Sequence, residues 1–163
     1  MSLHRRPVGL LALPALVAAL SLAGCAPGDR VARVAPPPSP PAEVAVLCAA
    51  LHGELPDTVA GLARTGTDPE SELTAAWGGS AIVLRCGIPR PGKMLDPEQD
   101  GITVNGVGWL MEQPAGGGFR FTTGLRKAYT EVVVDEAHAK DAGMLVGLSA
   151  AIARTVPEGI ASY

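Results

Sequence analysis

The sequence is poor in aromatic residues, basic clusters and long apolar runs. Its 163 residues include two tryptophans, two tyrosines and two phenylalanines, and its formal net charge is −3. No clustered basic face of the kind that nucleic-acid binding needs is visible, so nucleic acid is excluded as a partner. The longest apolar stretch, residues 8–22, is interrupted by Pro14 and is shorter than the roughly 20 residues of a membrane-spanning helix. A permanent span is therefore disfavoured.

The N-terminus has the layout of a lipoprotein signal peptide. His4, Arg5 and Arg6 precede the apolar stretch, and Leu22-Ala23-Gly24-Cys25 follows it. This order of basic, apolar and small residues predicts a signal peptide over residues 1–24. Leu22-Ala23-Gly24-Cys25 has the lipobox pattern, which predicts acylation of Cys25 and attachment to the extracytoplasmic face of the cell membrane. An ordinary secretory peptide with an incidental cysteine, and an uncleaved anchor, remain open.

Residues 25–41 are predicted to form a lipidated, proline-rich tether. Six prolines between Ala26 and Pro41 favour extended polyproline geometry, which at about 3.1 Å per residue reaches roughly 50 Å. Residues 42–163 are then a single domain. Removal of residues 1–24 takes away two basic residues and no acidic one, which leaves a charge of −5. Anionic headgroups should repel such a domain slightly, so the acyl chain must hold it to the membrane.

The remaining sequence predicts an α+β fold. Apolar residues at helical spacing predict a helix from Pro41 to Leu55, and a second helix is predicted between Asp135 and Pro157. Residues 57–74 are expected to be mainly loop. Strands are predicted over residues 81–86, 107–113, 119–125 and 128–134, with residues 102–104 leading into an Asn-Gly turn. The expected architecture is a two-layer sandwich, with both helices on one face of a four-stranded, mainly antiparallel sheet.

Two cysteines remain after acylation of Cys25, and both lie on the apolar faces of their predicted elements. An exported protein matures where disulfides persist, so Cys48 and Cys86 are predicted to form a bridge. The alternative is a metal site, in which Cys48 and His52, four residues apart on one helix, are completed by Cys86. A fourth ligand is missing around these positions, and an oxidised pair cannot bind metal. No metal or cofactor is predicted.

Two motifs resemble known sites and fail at one position each. Asp96 to Gly101 imitates the start of a calcium loop, but the twelfth position is Val107 and not the required glutamate. Ser149 lies in a near match to the nucleophile elbow, but within a predicted helix and not at a strand-to-helix turn. No catalytic residue is therefore assigned.

One face of the predicted sheet is a candidate binding surface. Val83, Arg85, Trp109 and Tyr129 are expected on the face opposite the helices, partly exposed. Arginine beside aromatic side chains is a common anchor in interfaces. The alternative is that the aromatic residues fill the core and that Arg85 only solvates an open sheet.

The residues also resemble a known family. The carriers of the resemblance are the block from Ala75-Ala76-Trp77-Gly78 through Arg85-Cys86-Gly87, Pro89, the segment Val104-Asn105-Gly106-Val107-Gly108-Trp109, and Phe121-Thr122-Thr123. They are similar to domain-of-unknown-function family 3515, a group of actinobacterial exported proteins and lipoproteins. The resemblance implies a cell-envelope setting and a fold, transfers no functional residue, and fits a Cys48–Cys86 pair.

These observations lead to an expected function. The chain is expected to be a non-enzymatic envelope lipoprotein that binds an envelope protein or a wall component. A small-ligand or metal-binding lipoprotein, the latter using Cys48, His52 and Cys86, is the main alternative, and a hydrolase is a weaker one.

Overall fold

An antiparallel sheet of eight strands carries two helices on one of its faces. The computed structural model describes residues 31–161, so the predicted signal peptide and Cys25 lie outside the described residues. Within 31–161, no helix combines the length and apolarity needed to cross a membrane.

The strands are short and follow one another closely along the chain. The elements are β1 Ala32–Arg33, α1 Ala42–Glu54, β2 Thr58–Val59, β3 Leu62–Thr65, β4 Thr67–Asp68, β5 Thr74–Trp77, β6 Ile82–Cys86, β7 Gly101–Val104, β8 Val107–Glu112, β9 Phe119–Thr123, β10 Thr130–Val134 and α2 Leu145–Thr155. The main sheet has the order β2-β3-β5-β6-β10-β9-β8-β7, and β1 pairs separately with β4 in parallel. Single 3-10 turns lie at Gly92–Leu95 and Ala142–Met144.

The predicted α+β class, the first helix and the central strands are confirmed, whereas the predicted number of strands is wrong. The main sheet has eight strands and not four. The expected loop over residues 57–74 contains β2, β3 and β4, and Ala60 and Gly61 turn β2 into β3 at positive φ of 50° and 77°. Residues 101–104 form a full edge strand paired with β8. Strands of two to four residues are too short to show a clear alternation in sequence.

The last helix begins nine residues later than expected. Asp135 does not cap it; its carboxylate instead accepts a hydrogen bond from the backbone N–H of His138 at 3.0 Å. The side chain of Asp141 accepts from Gly143 N at 2.7 Å and starts the 3-10 turn that leads into α2. The capping residue is thus an aspartate, as predicted, but it is Asp141 and not Asp135.

The core fills the space between the helices and the sheet. Alternate residues of the central strands, including Ile82, Leu84 and Phe121, pack against Leu51 of α1 and Leu148 of α2. Both tryptophans lie here with their indole N–H groups satisfied. Trp77 donates to the carbonyl of Pro56 at 2.9 Å, and Trp109 donates to Ser149 Oγ at 3.0 Å. These bonds remove the cost of burying the indole nitrogens.

The predicted disulfide joins α1 to the centre of the sheet. Cys48 and Cys86 are bonded, with their Cα atoms 5.6 Å apart, and both are fully buried in the main core. The bridge connects residues 38 positions apart, so it restricts the unfolded chain over a long loop. The predicted pairing is confirmed.

The second half of the predicted tether belongs to the folded domain. Ala32 and Val34 are buried against Ala76 and Val83, on the face of the sheet that the helices leave free. The backbone N–H groups of Ala32 and Val34 donate to Gly66 and Asp68 at 2.9 and 3.1 Å. Pro37 and Pro40 follow, and a side chain at Gly87 would meet Pro40 at 3.1 Å. The proline content had suggested a spacer here, but apolar residues at alternate positions anchor the segment.

Loss of the disulfide should destabilise the domain. In a Cys25→Ser background, replacing Cys48 and Cys86 by alanine should lower the free energy of unfolding by about 4 kcal/mol, the value expected for a loop of this length. Denaturant titration measures this loss, and Cys25→Ser alone is the control. In that control, intact mass after alkylation should show no modified cysteine until reductant is added; alkylation of two thiols without reductant would contradict the bridge.

A pair of valines tests the packing of the N-terminal segment. Val34 is buried and Val31 is exposed. Val34→Ala should cost about 2 kcal/mol, because it removes two buried methyl groups, whereas Val31→Ala should leave the free energy of unfolding within a few tenths of a kcal/mol. If both variants unfold like the parent chain, residues 31–34 are not part of the stable domain.

Candidate functional site

The face of the sheet opposite the helices, called here the outer face, is the candidate site. Because side chains alternate along each strand, it carries the residues between the core positions. They are Val83 and Arg85 of β6, Glu131 and Val133 of β10, Arg120 and Thr122 of β9, and Gly108, Leu110 and Glu112 of β8, as the strand registers place them.

The predicted binding surface is only partly assembled. Arg85 is on the outer face and half-exposed, as expected. Trp109 is 2% exposed and belongs to the helix-covered core, so its predicted face is wrong. Tyr129 is also 2% exposed, because it packs in a separate small cluster with Ile88, Met94 and Ala161. Trp109 lies directly opposite Thr123, and Thr123 is on the same face of β9 as Phe121, so the strand pairing turns Trp109 towards the core.

Charged side chains of alternating sign cross the outer face. Arg85 Nε and Nη2 donate to Glu131 Oε1 at 2.9 and 2.7 Å. Arg120 Nε lies 3.3 Å from Glu131 Oε2. Arg120 is directly opposite Glu112 in the register, and Lys93 Nζ lies 3.1 Å from Glu112 Oε1. These five residues, called here the charge ladder, connect four adjacent strands and the loop after β6.

The charge ladder presents cations to solvent and buries its anions. The side chains of Glu131 and Glu112 are 8% and 12% exposed, whereas those of Arg85, Arg120 and Lys93 are 35%, 41% and 62% exposed. The sequence had suggested Arg85 as an anchor for a partner. The side chain is not free for that role, because it donates its strongest hydrogen bonds to Glu131. The buried carboxylate needs both arginines to offset its desolvation.

An apolar cleft of about 370 Å³ opens beside the charge ladder. Its walls come from β7 and β8, the segment after β9, the loop between β6 and β7, and the C-terminal segment. Met94, Leu110, Leu125, Tyr129 and Ile160 supply apolar surface, and Arg90, Asp96 and Asp100 stand among the polar lining residues. The loop from Asp96 to Gly101 therefore contributes to the wall of the cleft. The volume is within the range of known ligand sites.

Glycine and one strained leucine shape the cleft. Gly108 and Gly124 leave its floor without side chains, and a Cβ at Gly108 would meet nothing within 4 Å. Leu125 adopts a positive φ of 50° and is 73% exposed at the rim. Left-handed backbone is costly for leucine and concentrates at functional sites. Its carbonyl accepts a hydrogen bond from Gly159 at 3.0 Å, which ties the rim to the C-terminal segment that carries Ile160.

A comparison with protein families adds the remaining identification. Residues 8–161 match the family described as "Protein of unknown function (DUF3515)". The chain belongs to this family. The resemblance noted in the sequence is thereby confirmed for family 3515 over nearly the whole chain. No curated protein and no solved structure matched the chain. The family description names no activity, so the function of this family 3515 member is argued from its own residues.

The structure of this family 3515 chain also bears on two other sites considered from the sequence, the cysteine and histidine metal site and the Ser149 motif. The disulfide uses both sulfurs of the Cys48, His52 and Cys86 set, and bridged sulfurs are not thiolate ligands. Across residues 31–161, no group of three or more His, Cys, Asp or Glu side chains is suited to a metal ion. Ser149 lies inside α2, fully buried beneath Trp109, so it acts as a packing residue.

Trp109 and Tyr129, which the sequence interpretation had placed on a binding surface, both line the cleft, but its other apolar residues were not predicted. Leu110, Leu125 and Ile160 come from three distant parts of the chain, so no local motif joins them. One signal was present at Gly108, because glycine inside a strand marks a bulge or a close approach by another group.

Proposed function

We propose that this family 3515 member is a lipid-anchored, non-catalytic protein of the cell envelope whose outer-face cleft binds an apolar segment of another envelope protein. The observation that carries the proposal is the cleft, an open apolar cavity with a strained, exposed leucine at its rim. A wall component, the other partner expected from the sequence, offers mainly polar groups and fits this lining less well.

The edge of the sheet supports an extended protein segment as the occupant. Among residues 31–161, β7 is an edge strand that pairs with β8 alone. Met111 N donates to Asp100 O at 2.9 Å, so the alternation of antiparallel bonds turns the backbone groups of Gly101 and Thr103 outward. Both residues line the cleft. A strand added to β7 would place alternate side chains on the outer face, beside the cleft.

The position of the first described strand supports a site close to the membrane. Cys25 and Val31 are separated by six residue steps, which span about 20 Å when fully extended. An acyl chain on Cys25 would therefore hold the domain near the bilayer, and not at the far end of a long spacer. The chain leaves the domain on its outer face, where β1 packs.

The anchor is tested by changing the acylated residue. Cys25→Ser removes the thiol that receives the lipid, so we expect the protein to move from the membrane fraction to the soluble extracytoplasmic fraction. Cell fractionation with immunoblotting measures this, and Cys48→Ala with Cys86→Ala, which leaves Cys25 in place, is the control. Full membrane retention of Cys25→Ser would indicate an uncleaved anchor instead.

The cleft is tested by photo-crosslinking in cells. A photoreactive amino acid at Leu125 should form a covalent adduct with a protein, because its side chain stands at the cleft rim. The same amino acid at Val46, an exposed apolar position on α1, serves as the control. Adding Gly108→Val should abolish the Leu125 adduct by filling the cleft floor, whereas Gly116→Val, at a glycine that is also unobstructed, should not.

Three outcomes of this experiment would contradict the proposed partner. Equal adducts at positions 125 and 46 would show that the cleft has no special role. An adduct too small to be a protein would favour a small-ligand lipoprotein, and an adduct with wall polymer would favour the other partner class. Thermal melts of the glycine variants establish that both remain folded.

A further inference from the structure

A second cavity, of about 400 Å³, lies beyond the end of α1 and shares no lining residue with the cleft. Its walls come from His52 of α1, from β3 and β4, and from the segment that leads into β5. Most of its lining residues carry charged or hydroxyl groups. They include Arg64, Thr67, Glu70, Glu72 and Thr74.

One of the residues that line this cavity, Arg64, has a guanidinium with unused donors. Arg64 is half-buried, and one of its nitrogens donates to the carbonyl of His52 at 3.2 Å. This bond fixes the side chain at the C-terminal end of α1. A guanidinium has five N–H donors, and within residues 31–161 no other hydrogen bond or ion pair to a protein group engages this one. Burial lowers the pKa of Arg64, with Asp57 opposing the shift, so the cation is partly desolvated and available to an anion.

Two carboxylates also line this cavity. Glu70 and Glu72 are exposed, and within the described part of the chain neither forms an ion pair. Burial and the nearby Arg64 lower the pKa of His52, whereas Glu72 and Glu70 raise it by less. The net shift favours the neutral form of the His52 ring. Thr67 and Thr74, whose hydroxyls are 2.9 Å apart, line the space as well.

The charges in this cavity select against ions of a single sign. A simple anion that approaches Arg64 meets the field of Glu70 and Glu72, and a simple cation that approaches those carboxylates meets Arg64. A ligand that carries both charges satisfies both groups, and charge-assisted hydrogen bonds are the strong ones. The volume is sufficient for a small molecule of this kind.

We propose that this cavity binds a small zwitterion, an amino acid or short peptide with free termini, whose carboxylate contacts Arg64 and whose ammonium group contacts Glu70 and Glu72. This site is independent of the cleft and of the proposed partner. Since the two sites share no residue, either can fail without affecting the other.

Three forms of one dipeptide test the proposal on the full chain in detergent micelles. Alanyl-alanine carries both charges, its N-acetyl form carries only the carboxylate, and its C-terminal amide carries only the ammonium group. We expect the zwitterion to bind at least about tenfold more tightly than either derivative. The ring proton shifts of His52 in NMR titrations report binding in the cavity, and the shifts of His138 serve as an internal control.

Variants assign the two charges. Arg64→Gln should weaken alanyl-alanine binding about tenfold or more, whereas Arg154→Gln, also near the end of α1 but outside the cavity, should have no effect. Glu70→Gln with Glu72→Gln should abolish the preference for the zwitterion over its N-acetyl form. These two glutamates are exposed, so that variant keeps the test valid if Arg64→Gln does not fold. Equal binding of all three dipeptides would overturn the proposal. So would unchanged His52 ring proton shifts when alanyl-alanine is in about 50-fold molar excess over the protein.

Discussion

The covalent bond between α1 and β6 determines which face of the sheet remains available. Cys86 must point towards the helices, so strict alternation along β6 turns Arg85 to the other side. Because the neighbouring strands β10 and β9 are paired in register, their side chains alternate in step with those of β6. The side chains on the helix-facing side of all three strands therefore enter the core. The charge ladder and the cleft are built from the complementary set. A helix bridged to the outer face would have covered both.

Burial of charge on the outer face restricts what that face can become. Glu131 is held in the middle of the sheet between two arginines, and removal of either arginine would leave a buried carboxylate undercompensated. The surface consequently shows positive charge in a protein whose overall charge is negative. The expected repulsion from anionic headgroups, which was argued from net charge, does not describe this face. The distribution of exposed charges governs local contacts, and net charge does not report it.

Elements with a strong local pattern could be predicted from the sequence. The α1 helix is bounded by Pro41 and Pro56, β6 alternates over five residues, and β10 is rich in β-branched residues, so the type and the approximate place of each could be predicted. Two cysteines on predicted apolar faces, in a chain predicted to be exported, were enough to predict their bond. The hairpin of β2 and β3 was not predicted because its strands are too short to show a pattern. The packing of the N-terminal segment was not predicted because its prolines outweighed the alternation of Ala32 and Val34. The cleft depends on contacts between residues far apart in the chain, and the polar cavity collects isolated residues from α1, β3 and the segment before β5. No single-sequence pattern carries that information.

The docking of β1 on the sheet has a consequence for binding strength. If Cys25 is acylated, only a few residues separate the bilayer from a rigid domain, so a partner held in the same membrane shares a very small volume with the cleft. Short connections of this kind give effective concentrations on the order of millimolar. A cleft with weak intrinsic affinity would then be largely occupied at the membrane and almost empty in solution. Membrane confinement, and not extensive contact area, would supply most of the occupancy.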